Sequence, residues 1–210
     1  MSARFLDDDA RAAFARAIRT IEDASAVEVV VALRRSSGPY RVVNALVGTL
    51  VAFAALATML FSEHAFGLAS ILVDPFVVGI AAAFLVELLP AVRRLLTPAA
   101  KRHANVVRAA RAAFVERGVH ATTGRSGVLV FISWLERDVV LVPDLGLAAR
   151  LPDGAIEAAQ AGLTAKFGEG GAAVGNELAK LADQMAIAMP HQEDDVNELP
   201  DAIDSDLERR

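Results

Sequence analysis

The chain has 210 residues, 54% of them hydrophobic, and its 21 Lys and Arg against 26 Asp and Glu leave a net charge of −5. That length suits one or two domains, and the acidic balance argues against a nucleic-acid partner. With no cysteine in the sequence, disulfides, thiolate metal sites and a cysteine nucleophile are excluded.

The first residues lack the apolar core of a secretory signal peptide, so whatever precedes the first long apolar run is expected to stay on the side where it is made. Residues 7–23 predict a helix. Asp7, Asp8 and Asp9 supply an N-cap and negative charge at its start, and Phe14, Ile18 and Ile21 recur at helical spacing. Residues 27–33 form a short β-branched run whose near-continuous apolarity suits a strand covered on both faces.

Two long apolar stretches follow. Residues 42–61 carry no charge, and residues 68–89 carry only Asp74 and Glu87. Each is long enough to cross a hydrocarbon core about 30 Å thick at about 1.5 Å per residue. A buried soluble helix would show a polar face, which residues 42–61 lack. The expectation is a transmembrane hairpin over residues 36–98. Pro75 is placed in a first helical turn, and Glu87 within reach of Arg93 and Arg94. Arg34, Arg35 and Arg41 precede the hairpin, while Arg93, Arg94, Lys101 and Arg102 follow it; residues 62–67 contain neither Lys nor Arg. By the positive-inside rule, both ends face the cytoplasm of a plasma (inner) membrane protein with two spans.

After Pro98, residues 99–117 predict a helix ended by Gly118. Residues 122–127 are loop by composition, 128–132 a wholly apolar central strand, and 139–142 its antiparallel neighbour, closed by Pro143, Asp144 and Gly146. Two helices follow, one starting at Asp153 and one carrying Val174, Leu178, Leu181 and Met185, with Gly168–Gly171 as a flexible turn between them. From residue 191 the acidic composition predicts a mobile, disordered tail. The order helix, strand, insertion, helix, strand, strand, helix, helix gives an α/β sandwich with a small mixed sheet, in which the first two strands are parallel neighbours. Residues 1–35 and 99–190 are then two parts of one domain, and 191–210 its tail.

Three residues stand out as candidates for chemistry. Glu28 falls where a strand should be buried, so its carboxylate must be paired, for instance with Arg125, or lie at the strand's mouth. Arg125, between glycines ahead of the central strand, could contact an anion or fix its loop. Asp144 with Gly146 could offer oxygens to a cation, although Asp is also a common turn residue. The tail acids Glu193, Asp194, Asp195 and Glu198 could attract cations loosely. No two of the four histidines have metal-ligand spacing on a helix, and no serine sits in a G-x-S-x-G turn.

Several of these pieces together resemble the TPM domain family, named for a thylakoid lumen protein, a photosystem II repair protein and a nematode receptor modulator. The likeness rests on Ile21-Glu22 with Ala26-Val27-Glu28-Val29, on Phe114 with Gly118-Val119 and Thr122-Thr123-Gly124-Arg125-Ser126-Gly127-Val128-Leu129, and on Glu136-Arg137-Asp138-Val139-Val140 with Asp144-Leu145-Gly146. Asn197-Glu198-Leu199-Pro200 is a fainter echo, and the hydrophobic insertion resembles the bacterial membrane branch. The resemblance implies a Rossmann-like α/β/α sandwich and a binding or assembly role for membrane protein complexes. Its partners would be the lipid bilayer and other membrane proteins, with homo-oligomerisation left open and no nucleic acid. It also implies two alternatives: a weak metal-assisted phosphatase using Asp144, Glu28 and Arg125, or a calcium-binding domain with calcium as its cofactor. Pro143 stands where the family often has Gly.

Overall fold

The computed structural model describes residues 5–191, 198–199 and 202–207. In chain order the elements are α1 (Asp8–Ala24), β1 (Val29–Arg34), α2 (Arg41–Phe61), α3 (Leu68–Leu88), α4 (Pro90–Leu96) and α5 (Ala99–Glu116). After these come β2 (Val128–Ser133), β3 (Asp138–Pro143), α6 (Leu145–Ala148), α7 (Ala155–Lys166), α8 (Gly171–Ala179), α9 (Ala182–Ala188) and β4 (Asp204–Ser205). They fall into two compact units, Met1–Ser37 with His103–Arg210, and Gly38–Arg102.

The first unit is mixed α/β around a four-stranded sheet of order β3-β2-β1-β4. β1 and β2 run parallel, with Val29 opposite Val128 and Arg34 opposite Ser133. β2 and β3 are antiparallel, as the short connection between them requires. Alternation along β1 and β2 sends Val29, Val31, Leu33, Val128, Val130 and Ile132 into a core shared with Phe14, Ile18, Leu163 and Leu178. The residues between them, Val30, Ala32, Leu129 and Phe131, join Val106 and Ala110 of α5 in a second core. Both faces are therefore buried, which explains why these strands lack a polar alternation. Each buried aliphatic side chain contributes about 1.5–3 kcal/mol relative to exposure.

Local chemistry sets the element ends. Asp7 caps α1 by accepting the Ala10 N–H at 2.9 Å. At the far end of β1 and β2 the buried Glu136 accepts the Ser37 N–H at 2.9 Å and the Ser133 hydroxyl.

Four features differ from the sequence reading. The disordered tail is corrected for residues 198–199 and 202–207, where β4 pairs with β1 and Leu207 is buried; Ile203 and Leu207 supply apolar anchors that the acidic average conceals. The rest of the tail lies outside the described residues. The helix expected through Val174, Leu178, Leu181 and Met185 is broken into α8 and α9. Pro75 sits inside α3, not in a first turn, because the apolar residues from Leu68 onward are already helical. Pro90 starts an additional short helix, α4.

In the second unit α2 and α3 each have 21 residues and are long and apolar enough to cross a membrane. They pack through glycine. A Cβ built on Gly48 would lie 2.6 Å from the Gly79 carbonyl oxygen, and one on Gly79 would lie 2.7 Å from the Gly48 carbonyl oxygen. Only hydrogen at both positions lets the backbones come this close. Gly48→Leu should therefore separate the helices and cost about 1–3 kcal/mol. Melting of the detergent-solubilised chain checks this, with leucine at the exposed Ala54 expected to leave the melting temperature unchanged.

Candidate functional site

The sheet ladder lines up two of the residues singled out by sequence. Glu28 directly precedes β1, and its carbonyl accepts the Val128 N–H at 2.8 Å; Asp144 directly follows β3 and donates its N–H to the Gly127 carbonyl at 2.8 Å. Glu28, Gly127 and Asp144 thus form one row across three strands, at the end of the sheet where residues 118–127 turn from α5 into β2.

That turn is tightly constructed. The buried Thr122 accepts the N–H groups of both Ser126 and Gly127 at 3.1 Å through its Oγ1. Gly124 and Arg125 both have positive φ, at 75° and 56°, a conformation that glycine adopts freely and arginine seldom does. Gly146 closes the corner from the other side, where a Cβ would fall 2.1 Å from the Gly124 carbonyl oxygen. The Thr122–Gly127 and Asp144–Gly146 pieces of sequence are thereby packed directly on each other.

Asp144 is 3% exposed and Arg125 53% exposed, with Arg125 Nη1 3.5 Å from Asp144 Oδ1. That distance gives an ion pair but not a good hydrogen bond. Asp144 Oδ1 also accepts the Leu145 N–H at 2.7 Å, capping α6, while its buried Oδ2 has no hydrogen-bond partner among the described residues. Glu28 is 7% exposed. Its Oε1 accepts the N–H of Glu198 at 3.3 Å, and Glu198 Oε2 accepts the Thr123 N–H at 2.8 Å. The structure therefore brings Arg125 to Asp144 and ties Glu28, through Glu198, to the same loop. Glu193, Asp194 and Asp195 lie outside the described residues. Among the described residues, no three His, Asp or Glu side chains are grouped as metal ligands, whereas calcium takes six to eight oxygens.

A second polar cluster lies within the hairpin unit. Glu87 of α3 accepts from the Asn44 side-chain amide of α2 and pairs with Arg93 of α4. The Glu87–Arg93 pair follows from their sequence spacing. Asn44 was not singled out from the sequence, although it is the single amide in its apolar run.

Glu198 carries a pH signature. The side-chain and backbone hydrogen bonds of Thr123 hold its carboxyl below the usual range. A carboxylate favoured by folding contributes stability above its unfolded pKa, about 4.3, and loses it as pH falls. Glu198→Gln keeps an acceptor but removes the titration. The stability difference between wild type and variant, measured by thermal melts from about pH 6 to about pH 3, should shrink toward zero at the acid end.

Comparison with known proteins shows a likeness of fold. No family model matches the chain, and no curated protein matches it. Among solved structures it is similar to the NMR structure of the BA42 protein from the psychrophilic bacterium Bizionia argentinensis, at 17% identity, over 96% of this chain and 95% of that one, with a TM-score of 0.57.

Proposed function

We propose that the chain is a membrane-anchored, TPM-like domain protein that binds or helps assemble and maintain membrane protein complexes. In this reading α2 and α3 cross the plasma (inner) membrane, and the Rossmann-like α/β/α sandwich and both termini lie in the cytoplasm.

One observation carries the anchor. Two 21-residue helices pack side by side through Gly48 and Gly79, yet leave Leu46, Leu50, Phe53, Leu72, Phe76 and Phe84 exposed. Apolar surface of this extent is costly in water and at no disadvantage in lipid. The polar cluster of Asn44, Glu87 and Arg93 is consistent with it, because Asn44 is near the start of α2 and Glu87 near the end of α3. Charged side chains near such helix ends can reach the interface. The basic residues on both flanks and their lack in the 62–67 turn support cytoplasmic termini.

Support for the TPM-like domain comes from the element order and from the packing of Thr122–Gly127 on Asp144–Gly146. The binding role is favoured by the state of the candidate residues. Asp144 is buried as a helix cap, and Arg125 presents a half-exposed guanidinium suited to recognising an anionic group.

Because the chain has no cysteine, single cysteines test the topology cleanly. A cysteine at Glu63 should react with a membrane-impermeant maleimide on intact cells, and one at the exposed His120 only after permeabilisation. Labelling at His120 in intact cells would invert the arrangement. The assembly role predicts that cells lacking the chain lose at least one membrane complex on native gels, and regain it on complementation; unchanged complexes would remove that role.

A further inference from the structure

The chain leaves the α/β unit at Ser37 and re-enters it at His103. Both crossings are held by one short turn, residues 134–137, and by the strand residues that flank it. On the outgoing side the Leu135 N–H donates to the Arg35 carbonyl at 3.0 Å. Two residues on, the Ser37 N–H donates to Glu136 Oε1 at 2.9 Å, and the Ser37 and Ser133 hydroxyls bond at 2.7 Å. On the returning side His103 Nδ1 lies 2.7 Å from Oδ2 of Asp138, the first residue of β3. Ser37 is four residues from Arg41, where α2 begins. Extended chain covers at most about 3.6 Å per residue, so Ser37 lies no more than about 14 Å from the head of α2.

The residues of the turn suit a lipid surface. Trp134, the single tryptophan of the chain, packs on the core yet stays partly exposed. Among the described residues its indole N–H has no hydrogen-bond partner. Arg137 is exposed, and among the described residues its guanidinium has no acceptor. With a φ of 55° it holds a conformation that glycine would take without strain. Tryptophan concentrates at membrane–water interfaces, where its ring is apolar and its N–H stays wet. A guanidinium binds phosphate through its planar fork of donors.

We propose that the β2–β3 turn is a membrane contact, with Trp134 and Arg137 seated among the phospholipid headgroups of the leaflet from which α2 starts. This rests on the reading of α2 and α3 as spans, and adds a peripheral attachment beside them. The contact fixes which end of the sheet faces lipid. Glu28, Gly127 and Asp144 lie at the opposite end of the same six-residue strands, about 20 Å away. The Arg125 loop is then turned to the cytoplasm and open to a partner.

The single tryptophan serves as a depth gauge. The full chain is reconstituted into vesicles of phosphatidylcholine and phosphatidylglycerol in equal amounts, floated on a density gradient, and quenched in three ways. A nitroxide on the headgroup should quench Trp134 about twofold more than one deep in the acyl chain, and about twofold more than iodide present on both faces. Stronger quenching by iodide would put the turn in water, and stronger quenching by the deep nitroxide would put it in hydrocarbon. No quenching by any of the three would leave the indole enclosed in protein. Each of these outcomes overturns the proposal. Arg137→Glu should cut the headgroup quenching by about half, since phosphate repels the acid, and leave the melting temperature in detergent unchanged. Undiminished quenching in that variant would overturn the part assigned to Arg137. A chain that floats with the vesicles but shows no headgroup quenching keeps its anchor and loses this contact; one that fails to float loses both.

Discussion

The parallel pairing of β1 with β2 is the constraint on which the fold depends. These strands are buried on both faces, and they lie on either side of the hairpin unit in sequence. Their ladder can close only if the inserted segment returns to its point of departure. A hairpin of two equal helices meets that condition, because its ends lie together by construction. Once the ladder is closed, α1, α7 and α8 have one face to cover and α5 the other. The same closure sets Glu28, Gly127 and Asp144 in a row, so the candidate site is a product of strand register.

The parts readable in the sequence are those in which burial leaves a pattern. The apolar runs of β1 and β2, the stripe of α1 and the two uncharged helices each declare their environment through many residues at once. The antiparallel β2–β3 pair was recoverable because only a few residues join the strands. β4 was not, because an acidic stretch with isolated Ile203 and Leu207 has the composition of a solvated tail. Arg34 and Arg117 meet Asp204 there and the Arg35 backbone meets Asp206, beside the apolar anchors, and this convergence depends on the tertiary fold. The contact between Arg125 and Asp144 was likewise hidden, since it needs Gly124 and Gly146 to pack together first. The division between α8 and α9 has no proline to announce it.

The acidic residues share a structural habit. Asp7, Glu22, Glu136, Asp144, Glu198 and Asp206 each accept a backbone N–H. Hydrogen bonds to ionised acceptors are shorter and stronger than neutral ones, and they satisfy donors at helix starts, at a strand edge and in tight turns. In these places the negative charge of the chain serves its own backbone. An acidic composition does not by itself point to cation binding.

The ladder between β1 and β2 also has a consequence in time. During synthesis β1 leaves the ribosome early, and β2 cannot exist until the entire insertion has been translated. At about 5–20 residues per second, that interval is on the order of ten seconds. Throughout it an aliphatic strand waits without its neighbour, the condition under which nascent chains stick to one another. Early capture of the insertion at its destination would hold each growing polypeptide apart from its siblings, so that the segment separating the two strands also protects them until they meet.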